Sequence, residues 1–348
     1  MMMTLAGMVR FFAATGEAGP DAEMVPQLLE RWGYDAGTIR FVRASQNVIL
    51  KFQRDGQDFI LRLSHESERS LQEIEAELAF LNFLAQRDVP VHQPVASKAG
   101  REIETCDSSL GVFHAVVFTY LHGEHPELED LDETGFARWG AAMGRLHQVA
   151  SQYEAECERL PRDADTDQAK TGRRKTCFEQ LALAKAALPA EETAALQEVT
   201  RLETWLRSLP RTDDNFGMIH FDFELDNLIR REDGELQILD FDGCSCNWFA
   251  ADIAFALRDL YVAGAEADEE DPRIRAFLQG YRTKKTLLPA DAAHLPMFLR
   301  FHQLLMFAKL LDVVRLESGP EWAMNLKARL EGKLQALREC FSQRGASK

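Results

Sequence analysis

The sequence predicts an α+β protein with a small N-terminal β-sheet lobe that contains one helix, and a large, mainly helical C-terminal lobe. Three features favour this fold class: β-rich runs fill most of the first third, helical patterns fill most of the remainder, and an acidic connector separates them. The connector contains Gly123 and Pro126 and places the boundary between residues 121 and 122. A cleft between two lobes is a common place for a ligand.

Four β-rich runs and one amphipathic helix are predicted in the first lobe. The runs cover residues 39–42, 47–54, 58–63 and 112–121, and residues 54–57 form a hairpin turn. Residues 67–88 predict a helix, because apolar side chains recur there at three- and four-residue steps. These side chains are Leu71, Ile74, Leu78, Leu81 and Leu84.

The second lobe is predicted to be helical apart from one embedded hairpin. Helices are expected over residues 134–150 and 179–209, the latter broken near Pro189, and again from Asp252 onward. Further breaks are expected at Asp271-Pro272, Leu288-Pro289 and Gly319-Pro320. Residues 218–242 read as two short strands joined by a turn at residues 231–234.

The composition is that of a globular protein with neither a nucleic-acid nor a membrane partner. Of the 348 residues 46% are hydrophobic and 28% charged, and the formal net charge is −16, whereas nucleic-acid binding needs patches of Lys and Arg. The acidic balance permits a cationic substrate. Because the N-terminus lacks a basic start and no window reaches the length of a membrane span, we expect a soluble, cytoplasmic protein. The six scattered cysteines favour reduced thiols.

Two acidic motifs lie close together in the sequence, HFDFELDN at residues 220–227 and DFDGC at residues 240–244. Phosphoryl transfer from a nucleotide needs a carboxylate that orients and deprotonates the attacking hydroxyl, and a metal ion that neutralises the phosphates. Magnesium prefers hard oxygen ligands, so one carboxylate and one amide oxygen can suffice. The pattern His-x-Asp-x-x-x-x-Asn, a hairpin and then Asp-Phe supplies such a set.

This pattern resembles the catalytic segment of the aminoglycoside phosphotransferase and choline kinase-like family, whose members have a bilobal protein-kinase-like fold. The resemblance implies ATP as donor, Asp222 as catalytic base, and Mg²⁺ held by Asn227 and Asp240. It also implies supporting roles for His220, which shapes the loop, for Asp252, which braces it, and for Asp242 near the metal. Phe221 departs from the family, since most relatives have Gly between His and Asp.

The same resemblance implies a nucleotide site in the first lobe. Arg62 would contact the phosphates, although an exposed strand Arg is the alternative, and Glu77 would pair with it, with Glu73 as the other candidate acid. Ser45 would lie in a phosphate-covering loop, which lacks the family's usual Gly. Phe118, Tyr120 and Leu121 would line the adenine pocket, unless Phe118 and Leu121 simply belong to the core.

The predicted function is phosphorylation of a hydroxyl group on a small molecule such as an aminoglycoside, an aminoalcohol or a related metabolite. A bacterial-type Ser/Thr protein kinase is the alternative, disfavoured because Trp248 and Asp252 follow Asp240 too soon for a long activation loop. A non-catalytic nucleotide-binding protein is a third reading, which the presence of a catalytic base opposes. The acids of residues 266–271 either contact a cationic substrate or form a solvated loop.

Overall fold

The computed structural model describes residues 9, 24–44, 47–108, 111–153, 174–261 and 271–346. The chain forms two compact units, of which the first comprises Met1–Asn82, His92–Leu121 and Asp312–Glu331. The second comprises Phe83–Val91, His122–Leu311 and Gly332–Lys348. That nucleotide binding belongs to residues 1–121 and catalysis to residues 122–348 stays a prediction.

An antiparallel sheet forms the centre of the first unit. Its strands run in the order β1-β2-β3-β6-β4, and β5 also pairs with β6. The strands are β1 (Arg40–Ala44), β2 (Val48–Arg54), β3 (Gln57–His65), β4 (Pro94–Val95), β5 (Ile103–Ser108) and β6 (Gly111–Thr119). The four predicted runs are confirmed as β1, β2, β3 and β6. β5 was not predicted, because its sequence IETCDS is largely polar.

Two helices bury apolar side chains in this part of the chain. α1 (Met24–Leu29) contributes Val25, Leu28 and Leu29 to a core that contains side chains of β2, β3 and β6. α2 (Leu71–Ala85) confirms the predicted helix, and four of its five predicted apolar positions, from Ile74 to Leu84, are buried. Removal of this apolar stripe from water stabilises the helix by about 25 cal/mol per Å² of apolar surface.

Helices dominate the rest of the chain, as the sequence predicts. Proline occupies the first position of α7 and α8, where its missing N–H has no intrahelical partner to lose, so the predicted breaks are helix starts. The helices are α3 (Glu133–Ala150), α4 (Cys177–Ala187), α5 (Thr193–Ser208), α6 (Phe249–Ala256), α7 (Pro272–Arg282), α8 (Pro289–Ala292), α9 (Leu295–Val313) and α10 (Glu321–Ala346).

Two short strand pairs carry the loops that contain both acidic motifs. β7 (Phe216–Ile219) pairs with β10 (Ser245–Trp248), and β8 (Leu228–Arg230) pairs with β9 (Leu236–Ile238). The first motif therefore connects β7 to β8, and the second connects β9 to β10. Because the β8–β9 pair is nested inside the β7–β10 pair, the two loops lie next to each other.

Glycines allow α3 and α7 to approach at backbone distance. A Cβ atom on Gly280 would overlap the carbonyl oxygen of Ala137, and a Cβ atom on Gly140 would overlap that of Phe277. No larger residue fits at either position without separation of the helices. The contact brings Tyr281 of α7 against His147 of α3.

No helix within the described ranges is long and apolar enough to cross a membrane.

Cys106, Cys177, Cys244 and Cys340 are free thiols, whereas Cys246 is disulfide-bonded. The expectation of reduced cysteines is therefore wrong at Cys246.

Candidate active site

Asp222 and Asn227 face each other across the loop between β7 and β8. The Asn227 side-chain Nδ2 donates to the backbone oxygen of Asp222 at 2.8 Å and to its Oδ2 at 3.3 Å. With the amide nitrogen turned to Asp222, the Asn227 Oδ1 atom has no hydrogen-bond partner among the residues that the structure describes. About a third of the Asp222 side chain is exposed, while Asn227 is buried. The loop thus presents an accessible carboxylate beside an oriented amide oxygen.

Asp240 follows β9 and starts the 3₁₀ turn Phe241–Gly243 in a left-handed conformation, with φ 59° and ψ 67°. Aspartate tolerates this region better than most residues with a Cβ atom. The neighbouring Leu239 N–H donates to the Asn227 carbonyl oxygen at 2.8 Å. This bond ties the backbones of the two loops together beside the predicted metal ligands, Asn227 and Asp240.

His220 joins the same two loops through its ring. Its Nδ1 accepts a hydrogen bond from the Asp222 N–H at 3.3 Å, so the ring proton is on Nε2, which donates to the Leu239 carbonyl oxygen at 2.8 Å. The ring is fully buried and packs edge-on against Phe223 and Phe241. Its position suits the predicted role of shaping the loop.

Asp252, in α6, accepts hydrogen bonds from two consecutive backbone N–H groups of the loop. Its Oδ2 receives the His220 N–H at 2.9 Å and its Oδ1 receives the Phe221 N–H at 2.8 Å. The Nε2 of His147 also contacts Oδ2 at 2.9 Å. A buried carboxylate needs such partners, because an unpaired buried charge is strongly unfavourable. Burial lowers the pKa of His147, so its ring is neutral and donates from Nε2.

Asp242 is buried in the turn after Asp240, and an arginine that the sequence did not single out holds this turn. The Arg174 guanidinium donates to the Asp242 carbonyl oxygen, and its Nε donates to the Cys244 carbonyl oxygen at 2.6 Å. Nothing in the local sequence around Arg174 indicates these contacts, which depend on tertiary structure.

In the first unit, Arg62 and Glu77 form a bidentate ion pair. The two Nη atoms of Arg62 donate to the two Glu77 carboxylate oxygens at 2.7 and 2.9 Å, and Arg69 pairs with the same carboxylate. All three side chains are buried, so Arg62 is not an exposed strand residue. Within the described part of the chain, the buried Arg62 Nε atom has no hydrogen-bond partner. Glu73, the other candidate acid, instead forms reciprocal hydrogen bonds with Ser70 at the start of α2.

The predicted adenine-pocket residues differ in exposure. Phe118 is buried, stacks on His92 with ring centroids 4.3 Å apart, and lies beneath the Arg62 guanidinium. Tyr120 is half-buried, with the Lys51 ammonium 4.1 Å from its ring centroid, and Leu121 is also half-buried. Ser45 lies outside the described residues, as do residues 266–270 of the acidic segment.

Three polar side chains near Asp222 were not predicted. Arg258 forms an ion pair with Glu224, and its Nη1 lies 3.9 Å from the Asp222 Oδ1. His302 of α9 is 8% exposed and packs against Phe255 and Phe221, with ring centroids 5.0 and 6.3 Å away. Burial, assisted by the charge of Arg258, lowers the pKa of His302 to about 3. Arg258 lies in a short turn after α6 and His302 in α9, both outside the two acidic motifs, so no short motif could reveal them. Glu224 lies within the HFDFELDN motif, but its ion pair with Arg258 depends on tertiary structure.

Comparison with known proteins identifies the family. The model of the phosphotransferase enzyme family matches residues 39–287 of this chain. The chain belongs to the phosphotransferase enzyme family. It is therefore an enzyme of the kinase and phosphotransferase class, and the predicted family and enzyme class are confirmed.

Relatives in the phosphotransferase enzyme family include two kinds of small-molecule kinase. The amicoumacin kinase of Bacillus subtilis is 26% identical over 296 residues, which cover 83% of this chain and 84% of the relative. The homoserine kinase of Rhodospirillum rubrum is 27% identical over 274 residues, which cover 77% and 79%. A solved amicoumacin kinase in complex with AMP-PNP, Ca²⁺ and Ami superposes with a TM-score of 0.74 at 25% identity and covers 91% of this chain and 93% of that one. The fold is thus protein-kinase-like, as predicted.

Proposed function

We propose that this phosphotransferase moves the γ-phosphoryl group of ATP to a hydroxyl group of a small molecule, with Asp222 as the base. The observation that carries the proposal is the pairing of Asp222 with Asn227. The Asn227 amide nitrogen holds the Asp222 carboxylate, whose oxygen Oδ1 stays available to accept the proton of an incoming hydroxyl. Because no covalent intermediate on the protein is needed, orientation of the hydroxyl is the main task of this carboxylate.

The donor set around Asn227 fits a divalent metal ion, for which Mg²⁺ is the proposed identity. The Asn227 Oδ1 atom and the Asp240 carboxylate are hard oxygen donors of the kind magnesium prefers, and magnesium keeps several waters. Within the described residues no three His, Cys, Asp or Glu side chains cluster as a protein-only metal site. Such a sparse set suits a metal that also takes phosphate oxygens. When bound, the ion neutralises charge on the phosphates.

The buried arginine of the first unit fits a nucleotide phosphate. The Nε atom of Arg62 is a buried donor without a partner among the residues that the structure describes, and such groups are rare unless a ligand or water satisfies them. The bidentate ion pair with Glu77 fixes the plane of the Arg62 guanidinium. The direction of its Nε–H bond is therefore fixed before the nucleotide binds.

The charges near Asp222 favour an acceptor that carries an amine. Asp222 and Glu224 contribute two carboxylates and Arg258 one guanidinium, which leaves one negative charge in excess, and His302 is neutral. An ammonium group on the acceptor would balance this charge. Two relatives are named for amicoumacin and homoserine, which supports a small-molecule acceptor over a protein.

The proposal is tested by a screen for acceptor-dependent ADP release in the presence of ATP and Mg²⁺. The probes are L-homoserine, 3-aminopropan-1-ol, which lacks the carboxylate, 4-hydroxybutyrate, which lacks the amine, and aminoglycosides, with casein as a protein control. We expect ADP release with amine-bearing alcohols and little with 4-hydroxybutyrate. ADP release with casein alone would contradict the small-molecule acceptor, and preference for 4-hydroxybutyrate would contradict the cationic one.

A further inference from the structure

We propose that Tyr281 is a positioning residue for the loop that carries Asp222, because its hydroxyl orients a buried His147–Asp252 pair that holds Phe221 in a left-handed conformation. This inference rests on the proposed role of Asp222. Tyr281 belongs to α7 and is remote in sequence from both acidic motifs, and no motif of the sequence points to it.

A continuous path of hydrogen bonds joins Tyr281 to the loop. The Tyr281 hydroxyl lies 3.0 Å from the His147 Nδ1, the His147 Nε2 lies 2.9 Å from the Asp252 Oδ2, and Asp252 accepts from the loop. The side chains of Tyr281, His147 and Asp252 are all fully buried. Burial raises the pKa of the Tyr281 hydroxyl well above its usual value, so it keeps its proton and donates to Nδ1. His147 then carries its own proton on Nε2, toward Asp252.

The ring of His147 is oriented from both ends and from one face. Phe249 stacks on it with centroids 4.6 Å apart and ring planes 28° apart, which fixes the plane of the imidazole. The Tyr281 hydroxyl satisfies Nδ1, a buried acceptor for which the described residues offer no other partner. Without the hydroxyl, the imidazole loses one of the two hydrogen bonds that fix its orientation, and the bond from Nε2–H to Asp252 is weakened.

The conformation of Phe221 explains why Asp252 must be held in place. Phe221 has φ 76°, a left-handed value that a bulky side chain disfavours and glycine accepts freely. Two consecutive N–H groups, those of His220 and Phe221, must converge on one carboxylate to maintain it. Asp222 is the next residue, so a change of backbone conformation at Phe221 redirects the Asp222 side chain.

The close contact of α3 and α7 places the Tyr281 hydroxyl at His147. A Cβ atom on Gly144 would lie 2.6 Å from the Tyr281 carbonyl oxygen, so the backbone of α7 at Tyr281 is seated directly on α3. The glycines that permit this contact are needed for the hydrogen-bond path, because a wider separation of α3 and α7 would break the hydrogen bond between Tyr281 and His147.

A double-mutant cycle between Tyr281→Phe and Phe221→Gly tests the inference. Tyr281→Phe removes one hydroxyl and keeps the buried ring, so the fold is preserved. In the Phe221 background we expect kcat to fall about three- to tenfold, as for loss of one buried hydrogen bond, while KM for ATP stays within about twofold. When residue 221 is Gly, the same substitution should leave kcat within about twofold, because glycine needs no restraint at positive φ. The assay uses ATP, Mg²⁺ and 3-aminopropan-1-ol.

Asp88→Gly provides the matched control for the cycle. Asp88 is an exposed non-glycine residue that also has a positive φ, 57°, and it lies outside the loop. Tyr281→Phe should lower kcat as much in the Asp88→Gly background as in the original one. If relief of any positive φ by glycine were the cause, Tyr281→Phe would leave kcat nearly unchanged in both the Phe221→Gly and the Asp88→Gly backgrounds. That result would overturn the inference.

Hydrogen exchange separates failure of this inference from failure of the proposed function. The backbone N–H groups of His220 and Phe221 should exchange at least about threefold faster in Tyr281→Phe, whether or not any acceptor is turned over. His147→Leu, which removes both hydrogen bonds of the ring, should increase exchange further. Unchanged exchange in Tyr281→Phe would overturn the inference, even if exchange increases in His147→Leu. Absence of ADP release from the unsubstituted protein would contradict the proposed function alone.

Discussion

At the scale of single residues, the site is defined by side chains whose partners determine what each can do. The Asn227 amide nitrogen donates to Asp222, so its amide oxygen is the atom through which we expect it to bind the proposed metal ion. Arg258 neutralises Glu224 only in part, because its Nη1 atom also donates to the Phe255 carbonyl oxygen at 2.9 Å and approaches Asp222. Glu224 is therefore the acid that we expect to recognise a cationic acceptor.

Glu224→Gln should raise KM for 3-aminopropan-1-ol about fivefold, which corresponds to about 1 kcal/mol for a partly exposed ion pair. The cause is loss of the negative charge that attracts the ammonium group, so KM for ATP should stay nearly constant. Steady-state kinetics with both substrates measure the effect. Asp226→Asn, which neutralises an exposed acid of the same loop, is the control. An equal rise of KM in both variants would argue for a general field effect.

At the scale of elements, close packing of α3 against α7 brings together residues far apart in sequence. Gly140 and Gly280 allow the helix backbones to touch, and His147 and Tyr281 meet as a result. The sequence predicted α3 with nearly correct bounds, and α7 only as part of a helical stretch between the breaks at Asp271-Pro272 and Leu288-Pro289. Their mutual contact could not be predicted, because spacing along one helix does not reveal which partner its small residues face.

Gly280→Ala should lower the free energy of unfolding by about 1–3 kcal/mol, because the added methyl group overlaps the Ala137 carbonyl oxygen and the helices must separate. Gly332→Ala is the matched control in α10, where a Cβ atom meets nothing within 4 Å. That variant should gain about 0.5–1 kcal/mol from higher helix propensity. Urea denaturation of both variants measures the difference, and equal stability of the two would refute the close-contact explanation.

At the scale of the whole molecule, the fold class predicted from the sequence is confirmed, whereas the site residues it points to stay predictions whose environment the sequence did not reveal. The HFDFELDN and DFDGC motifs pointed to Asp222, Asn227 and Asp240 because this chemistry needs fixed residue types at fixed spacing. Arg174, Arg258 and His302 were missed, since each reaches the site from a different segment through tertiary packing. β5 and the pairing of β10 with β7 were missed because polar or very short strands leave little periodic signal.

The buried histidines should make the stability of the molecule depend on pH. The folded-state pKa of His302 is about 3, below the unfolded value of 6.5, so between these values the unfolded chain binds a proton that the folded chain excludes. Stability should therefore fall as pH decreases from 6.5 toward 3, by at most about 1.4 kcal/mol per pH unit from this residue. The neighbouring charges oppose each other, since Arg258 lowers this pKa and Asp222 raises it.

His302→Gln isolates this contribution, because it removes the titrating group and leaves the carboxylates that also titrate in acid. Denaturation of both proteins at several values between pH 7 and pH 4 should give a shallower loss of stability for the variant. Parallel pH profiles would show that His302 is protonated in the folded state, contrary to its burial.

The most direct test of the central claim is the effect of Asp222→Asn on turnover and on ATP binding in the same preparation. With Mg²⁺ present, kcat for acceptor phosphorylation should fall by about 10²–10⁴-fold, the usual contribution of a general base. ATP affinity by calorimetry should stay within about threefold, because Asn227 and Asp240 are left in place. A variant that retains turnover, or one that loses ATP binding together with turnover, would contradict the assignment of Asp222 as the base.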